Sequence, residues 1–252
     1  MYNLMIQKFL LSLSFFTRLP LGKRDFESLT LAQSAAAFPI AGAMIGTLDG
    51  AFYLAMLGLG LPNNIAACLT IIFHLILTGG LHEDGLADSA DGLASGRNHE
   101  QKLAIMRDSQ IGSYGVLALI SIISLRANII ASFTGNFSTI LIFIATAACS
   151  RAFLAIFMRN IPYARSDGLV SMAGKPNTKQ TIITIFIGSC SLFITGKIFA
   201  ALIAIFSLAI IYIIIKHITI KNFGGITGDI LGAVQQISEV ALLLVFLTYS
   251  HN

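Results

Sequence analysis

Thr181 to Ile215 carries one charge, Lys197, in an apolar run too long for a single helix and broken at Thr195-Gly196-Lys197. Either half approaches the length that crosses the hydrocarbon core of a bilayer. Inside lipid the backbone must satisfy its own hydrogen bonds, which a helix does within one segment. Comparable runs recur at Leu31 to Gly60, Ile65 to Gly80, Val116 to Phe133, Ser138 to Met158 and Ile230 to Tyr249. With 56% hydrophobic and 11% charged residues, the chain departs far from soluble proteins, in which about 25% of residues are charged. The pattern predicts an all-α, polytopic integral membrane helix bundle, one domain over residues 1–252 with about seven transmembrane helices.

The first 30 residues read differently. Asn3, Gln7, Ser14 and Arg18 share one helical face among Leu, Met, Ile and Phe, the pattern of an amphipathic helix in the membrane interface or tucked against the bundle. A polar connector follows from Gly22 to Thr30. Nothing basic precedes Lys8, Ser12 and Ser14 interrupt the apolar run, and no small-residue cleavage site follows, so a signal peptide is not expected. Within the first long run, Pro39, Gly42, Gly46 and Gly50 predict close approach of a neighbouring helix.

Basic residues set the orientation. Across a seven-span alternation, Lys8, Arg18, Lys23, Arg24, Arg97, Lys102, Arg107, Arg159, Arg165, Lys175, Lys179, Lys216 and Lys221 fall on one side, and only Lys197 on the other. By the positive-inside rule that side faces the cytoplasm, which predicts a multi-pass protein of the cytoplasmic (inner) membrane. The net charge of +4 is spread among loops without a dense basic run, so nucleic acid is not an expected partner. Cys68, Cys149 and Cys190 stand isolated in apolar surroundings and read as buried thiols.

Acid is concentrated instead. Residues 81–115 form a cytoplasmic-side segment within the stretch GGLHEDGLADSADGLASGRNHEQKLAIMRDSQIGSYG, which holds Glu83, Asp84, Asp88, Asp91, Glu100 and Asp108, half of the twelve acidic residues. Asp84, Asp88 and Asp91 are spaced i, i+4, i+7, which stacks three carboxylates on one helical face. Like charges so placed repel, unless a hard cation that prefers carboxylate, water and phosphate oxygens sits among them. The expectation is a Mg²⁺ site for phosphate chemistry. His82 and Glu83 lie on adjacent faces and join as ligands or proton acceptors only if the backbone bends at Gly79-Gly80 or Gly85. Arg107 offers a donor fork to a diphosphate, with Asp108 beside it to complete the metal shell or orient the guanidinium. The turn Gly224-Gly225-Ile226-Thr227-Gly228-Asp229 precedes the last run, where glycines and free N–H groups favour an anion and Asp229 reads equally as a helix cap. Lys175 and Arg165 add positive charge on the same side. Within the runs, His74 reads as a packing residue, Asp49 as a local polar contact or a site near the far surface, and Arg126 and Arg151 as structural partners for Glu239 or Asp49.

GGLHEDGLADSADG followed by IMRDSQIGSYGVLAL resembles the signature of the cobalamin synthase (adenosylcobinamide-GDP ribazoletransferase) family. SFFTRLP, FPIAGAMIG and GGITGDILGA extend the resemblance along most of the chain, and Glu83 departs from the aliphatic residue expected between His82 and Asp84. The resemblance implies a Mg²⁺-dependent membrane transferase that joins adenosylcobinamide-GDP to α-ribazole, or its 5′-phosphate, and releases GMP. It implies metal ligation by Asp84, Asp88 and Asp91, and phosphate contacts from Arg107 and the loop Gly224, Gly225, Thr227, Gly228 and Asp229. His82, Glu83 and Asp108 are the candidate bases, and the lipid bilayer, a homo-oligomer or other cobalamin-biosynthesis enzymes are the expected partners. The rival reading is a cation-coupled transporter with Asp49, Glu239 and Arg126 as a relay, against which stands the crowding of acids at one membrane face.

Overall fold

The computed structural model describes residues 2–21 and 29–250; Lys23, Arg24 and most of the expected polar connector lie outside them. Among the described residues there are eleven α-helices and one short 3-10 helix, and no strand, only an isolated bridge between Tyr163 and Ile226. They are α1 (Tyr2–Phe16), the 3-10 helix Leu31–Ala37, α2 (Phe38–Gly58), α3 (Asn63–Thr78), α4 (Leu81–Ser95) and α5 (His99–Ile105). The order continues with α6 (Ser113–Ala131), α7 (Phe137–Asn160), α8 (Leu169–Ala173), α9 (Thr178–Phe193), α10 (Ile198–Phe223) and α11 (Gly228–Thr248).

Five stretches are long and apolar enough to cross a membrane: the 3-10 helix with α2, then α6, α7, α10 and α11. A sixth crossing results if α3 and α4 count as one broken span, bent by 92°. By length and composition alone the count among the described residues is five or six where about seven was expected, because α9 has only 16 residues where about 20 are usual. The helices nonetheless sit where the apolar runs are, and the chain is a multi-pass membrane protein.

The centre is α7, which packs against α2, α9 and α11. Small residues permit the closest of these approaches. A Cβ on Gly42 would fall on the Ala147 carbonyl, and one on Gly46 on the Phe143 carbonyl, so α2 and α7 touch backbone to backbone. The periphery is greasy: Leu117 and Ile120 on α6, Phe186 on α9, and Phe199, Phe206 and Ile213 on α10 are exposed and face where lipid belongs. The C-terminal half of α1 is tucked in, with Leu13 and Phe16 buried and Ser12 Oγ 3.0 Å from Ser34 Oγ, while Met5 and Ile6 are exposed.

Sidedness is visible in the turns. Leu57 meets Gly135, Asn63 Nδ2 donates to the Ala131 carbonyl at 3.2 Å, and Lys197 Nζ donates to the Tyr249 carbonyl, gathering the short turns at one end. At the other end Arg18 N donates to Leu77 O at 2.7 Å, His99 reaches Lys221 O at 3.0 Å, and Lys102 Nζ donates to Asn222 Oδ1 at 2.7 Å. Every long polar loop among the described residues closes on that basic end.

Buried charge fixes how the helices face one another. Glu239 of α11 accepts from Arg126 of α6 at 2.7 Å and from Arg151 of α7 at 3.2 Å. Ser150 donates to it at 3.2 Å, and Gln235 donates to it as well. Asp49 of α2 meets His74 Nδ1 of α3 at 2.6 Å. Asp49 is thus a local polar contact deep in the bundle, and the arginines pair with Glu239. Glu239→Leu strands two guanidiniums, an effect of about 3–5 kcal/mol when one partner of a buried pair is removed. We expect the thermal midpoint of the detergent-solubilised variant to fall on the order of 10 °C, with a drop under a degree or two contradicting the pairing.

Candidate active site

Two successive glycines create the site. Gly79 (φ +72°) and Gly80 (φ +66°) are both left-handed, a conformation that side chains with a Cβ rarely adopt. They turn α4 by 92° from the axis of α3 and lay it against the start of α11. Contact is again through glycine: a Cβ on Gly85 would lie 2.6 Å from the Asp229 carbonyl oxygen, and one on Gly232 3.0 Å from the His82 carbonyl oxygen. This close approach carries Asp229 of α11 beside the acidic face of α4.

The three aspartates of the stripe meet different surroundings. Asp84 is exposed, Asp88 is half-buried and Asp91 is buried. Both oxygens of Asp91 are engaged, one by Gly112 N–H at 2.8 Å and the other by Gly115 N–H at 2.9 Å, so its carboxylate caps the N-terminus of α6. Asp88 stands in the negative field of Asp84, Asp229 and Asp91, opposed by Arg165. Arg165 Nη2 donates to Asp229 Oδ2 at 3.1 Å, and its buried Nη1 has no partner. Among the described residues, no three His, Cys, Asp or Glu side chains are gathered into a metal cage.

A cavity of about 380 Å³ opens beside these acids. Its walls include Phe16, Phe38, Leu154, Met158 and Val170, and its polar lining includes His82, Asp84 and Asp229. His82 is 3% exposed, tilts against the Phe16 ring with centroids 5.7 Å apart, and has a buried Nδ1 without a partner. Glu83 points the opposite way, into the bundle. It accepts from Gln236 Nε2 at 3.0 Å and lies 3.7 Å from Arg126 and 3.9 Å from His74. The structure thus separates His82 and Glu83 onto two faces of α4, one at the cavity and one in the buried charge network.

The remaining candidates are spread around the same end. Arg107 forms an exposed ion pair with Asp167 at 2.6 Å, and Asp108 accepts from Gln110 N–H at 3.0 Å within its own turn. The glycine turn is clamped by a neighbouring loop, with Ile226 N–H donating to Pro162 O at 2.8 Å and Ala164 N–H donating to Ile226 O at 3.1 Å. A Cβ on Gly225 would crowd the Pro162–Ala164 backbone, while Gly224 (φ +71°) ends α10. Thr227 Oγ1 accepts from Ile230 N–H at 3.2 Å as the cap of α11, and Gly228 with Asp229 borders the cavity. Lys175 lies over the Tyr163 ring, 5.1 Å from its centroid, and burial pushes the Tyr163 phenol above its ordinary value. The clamp is what brings Arg165 to Asp229, a pairing across 64 residues that spacing alone does not announce.

A multi-pass helix bundle with carboxylates lining a ligand-sized cavity and an arginine paired to one of them has the make-up of a membrane-embedded enzyme. The family model for cobalamin-5-phosphate synthase matches residues 8–247. A protein of Bradyrhizobium diazoefficiens named adenosylcobinamide-GDP ribazoletransferase is 40% identical over 92% of this chain and 90% of its own length. One of the same name from Mesorhizobium japonicum is 38% identical over 93% and 90%, and one from Pseudoalteromonas atlantica 33% identical over 97% and 92%. No solved structure matches the chain. The chain belongs to the cobalamin-5-phosphate synthase family and is a transferase of cobalamin biosynthesis. The ionisable groups that a transporter would need free for a relay, Asp49, Arg126 and Glu239, are paired.

Asp91 and Asp84 separate structure from surface. Asp91→Ala removes the cap of α6 and is expected to cost about 0.5–2 kcal/mol, while Asp84→Ala, on an exposed side chain, leaves stability unchanged. Thermal melts of the two purified variants check this, and equal melting temperatures contradict the capping role.

Proposed function

We propose that the chain is an adenosylcobinamide-GDP ribazoletransferase of the cytoplasmic membrane, acting at its basic, cytoplasm-facing end. The observation that carries this reading is the convergence of Asp84 and Asp229, which line a mostly apolar cavity, with Asp88 and Arg165 beside them. The reaction joins adenosylcobinamide-GDP to α-ribazole or its 5′-phosphate. A ribose hydroxyl of the acceptor attacks the phosphorus attached to cobinamide, a new P–O bond forms, the diphosphate bridge breaks to release GMP, and the acceptor's 5′ group, hydroxyl or phosphate, is carried through unchanged. The acceptor's proton passes to a base, or to the leaving GMP.

The donor chemistry suits Mg²⁺, which is usually bound by one or two carboxylates completed by water and substrate phosphate rather than by an all-protein cage. Asp84 and Asp88 supply that pair, with Asp229 opposite, and the engaged Asp91 holds the scaffold around them. When bound, the cation neutralises phosphate charge as the bridge breaks. Arg165 grips a phosphate oxygen through its unpartnered Nη1. His82, at the cavity wall with a free ring nitrogen, is better placed as a proton acceptor than Glu83, which is turned into the bundle, or Asp108, which is held in its own turn. Arg107, paired with Asp167 at the surface, and Lys175 serve the approach of anionic substrate.

Purified protein should release GMP from adenosylcobinamide-GDP and α-ribazole with Mg²⁺ and stop in EDTA. Asp88→Ala and Arg165→Ala should each lower turnover by roughly 10²–10³-fold without unfolding the bundle. Wild-type-like rates in both variants, or full turnover without a divalent cation, overturn the assignment.

A further inference from the structure

The cavity beside α4 differs from the acidic cluster at its mouth in both size and chemistry. Its volume of about 380 Å³ lies at the small end of ligand pockets, which run from about 300 to 1,000 Å³. A nucleoside fits such a space, while a corrin macrocycle with its side chains does not. The interior is apolar and aromatic. Phe16 and Phe38 meet edge to face with centroids 5.1 Å apart, and Leu154, Met158, Val170 and Ala173 complete the wall. Polar side chains come at the rim, from Asp84 and Asp229, and in the wall from Thr30 and from His82, whose buried Nδ1 is unpartnered.

Resting on the reaction proposed above, we propose that this cavity is the acceptor subsite and holds the base of α-ribazole, while the corrinoid stays outside it. The dimethylbenzimidazole base is a flat, fused aromatic system with two methyl groups and no exocyclic polar group. It matches a pocket whose walls are mostly aromatic and aliphatic, with few hydrogen-bonding side chains among them. Its sugar then reaches the rim, which brings the attacking ribose hydroxyl toward Asp84, Asp229 and Arg165, where the diphosphate is gripped. The corrinoid, too large for the cavity, approaches from the membrane surface and presents its diphosphate tail to the same rim. The arrangement also sets specificity. A purine base carries ring nitrogens and, in adenine, an amino group that would be buried here without partners, which disfavours it.

The test uses full-length protein in detergent and reads equilibrium binding of α-ribazole by its own fluorescence, alongside steady-state kinetics. Ala173→Phe, at a half-buried wall position on the short α8, fills the cavity without touching the rim. It should weaken α-ribazole binding and raise its KM by about tenfold or more, with the KM for adenosylcobinamide-GDP within about twofold of wild type, a split that general misfolding would not give. Leu154→Ala, which enlarges the cavity, checks the sign: it should relax the preference for dimethylbenzimidazole over larger bases. Unchanged α-ribazole binding in Ala173→Phe, failure of the wild type to bind α-ribazole, or a rise in KM for the corrinoid substrate alone overturns the subsite. If α-ribazole binds and Ala173→Phe weakens it while wild type releases no GMP, the subsite stands and the reaction assignment falls.

Discussion

One carboxylate between two guanidiniums holds this bundle in register. Glu239 pairs with Arg126 and Arg151 in a region where water is scarce. Hydrophobic packing alone distinguishes poorly between rotations of an apolar helix in lipid, because one greasy face is as good as another. A charge that must find its partner removes that freedom, since the unpaired alternative is costly. α6, α7 and α11 are therefore fixed about their axes. Gln236, three residues before Glu239 on α11, extends the network to Glu83 of α4, and His74 links it to Asp49 of α2.

Fixing α11 has a consequence at the basic end. It turns Gly232 toward α4 and, one helical turn earlier, presents Asp229 to the acidic stripe. The acids that repel one another in Asp84, Asp88 and Asp229 are thus held together by favourable pairing elsewhere in the bundle. A local arrangement that is unfavourable by itself, sustained by the surrounding fold, is common where a protein binds a charged ligand. The mostly apolar cavity beside it is the second half of the same corner of the bundle.

Much of this was legible in the sequence because membrane helices obey a strong constraint on composition. The apolar runs located the helices, and Gly42 and Gly46 announced a close helix contact that the structure places against α7. The basic residues predicted one crowded end, and Arg126 and Arg151 were rightly suspected of pairing with Glu239. Less was legible where the chain bends. The i, i+4, i+7 rule correctly put Asp84, Asp88 and Asp91 on one side of α4, but it is blind to what that side meets, and Asp91 meets the start of α6. Arg107, expected at the diphosphate for its donor fork, pairs with Asp167 at the surface, and the loop clamp that brings Arg165 to Asp229 has no counterpart in residue spacing. α9 begins just after the Asn177 cap, three residues ahead of its apolar run, and ends before the Thr195-Gly196-Lys197 break, which leaves it 16 residues. The Asp49–His74 pair was missed for a simpler reason: each residue looked solitary within its own span, and pairing between spans leaves no periodic signature.

We propose that the carboxylates crowded beside the cavity hold a divalent cation. Mn²⁺, a paramagnetic stand-in for Mg²⁺, can be titrated into the purified protein and followed by electron paramagnetic resonance. Saturable binding that disappears in the Asp84→Asn/Asp88→Asn double variant, with the bundle's helical content intact, is the predicted result. Equal Mn²⁺ binding by wild type and double variant would contradict the account.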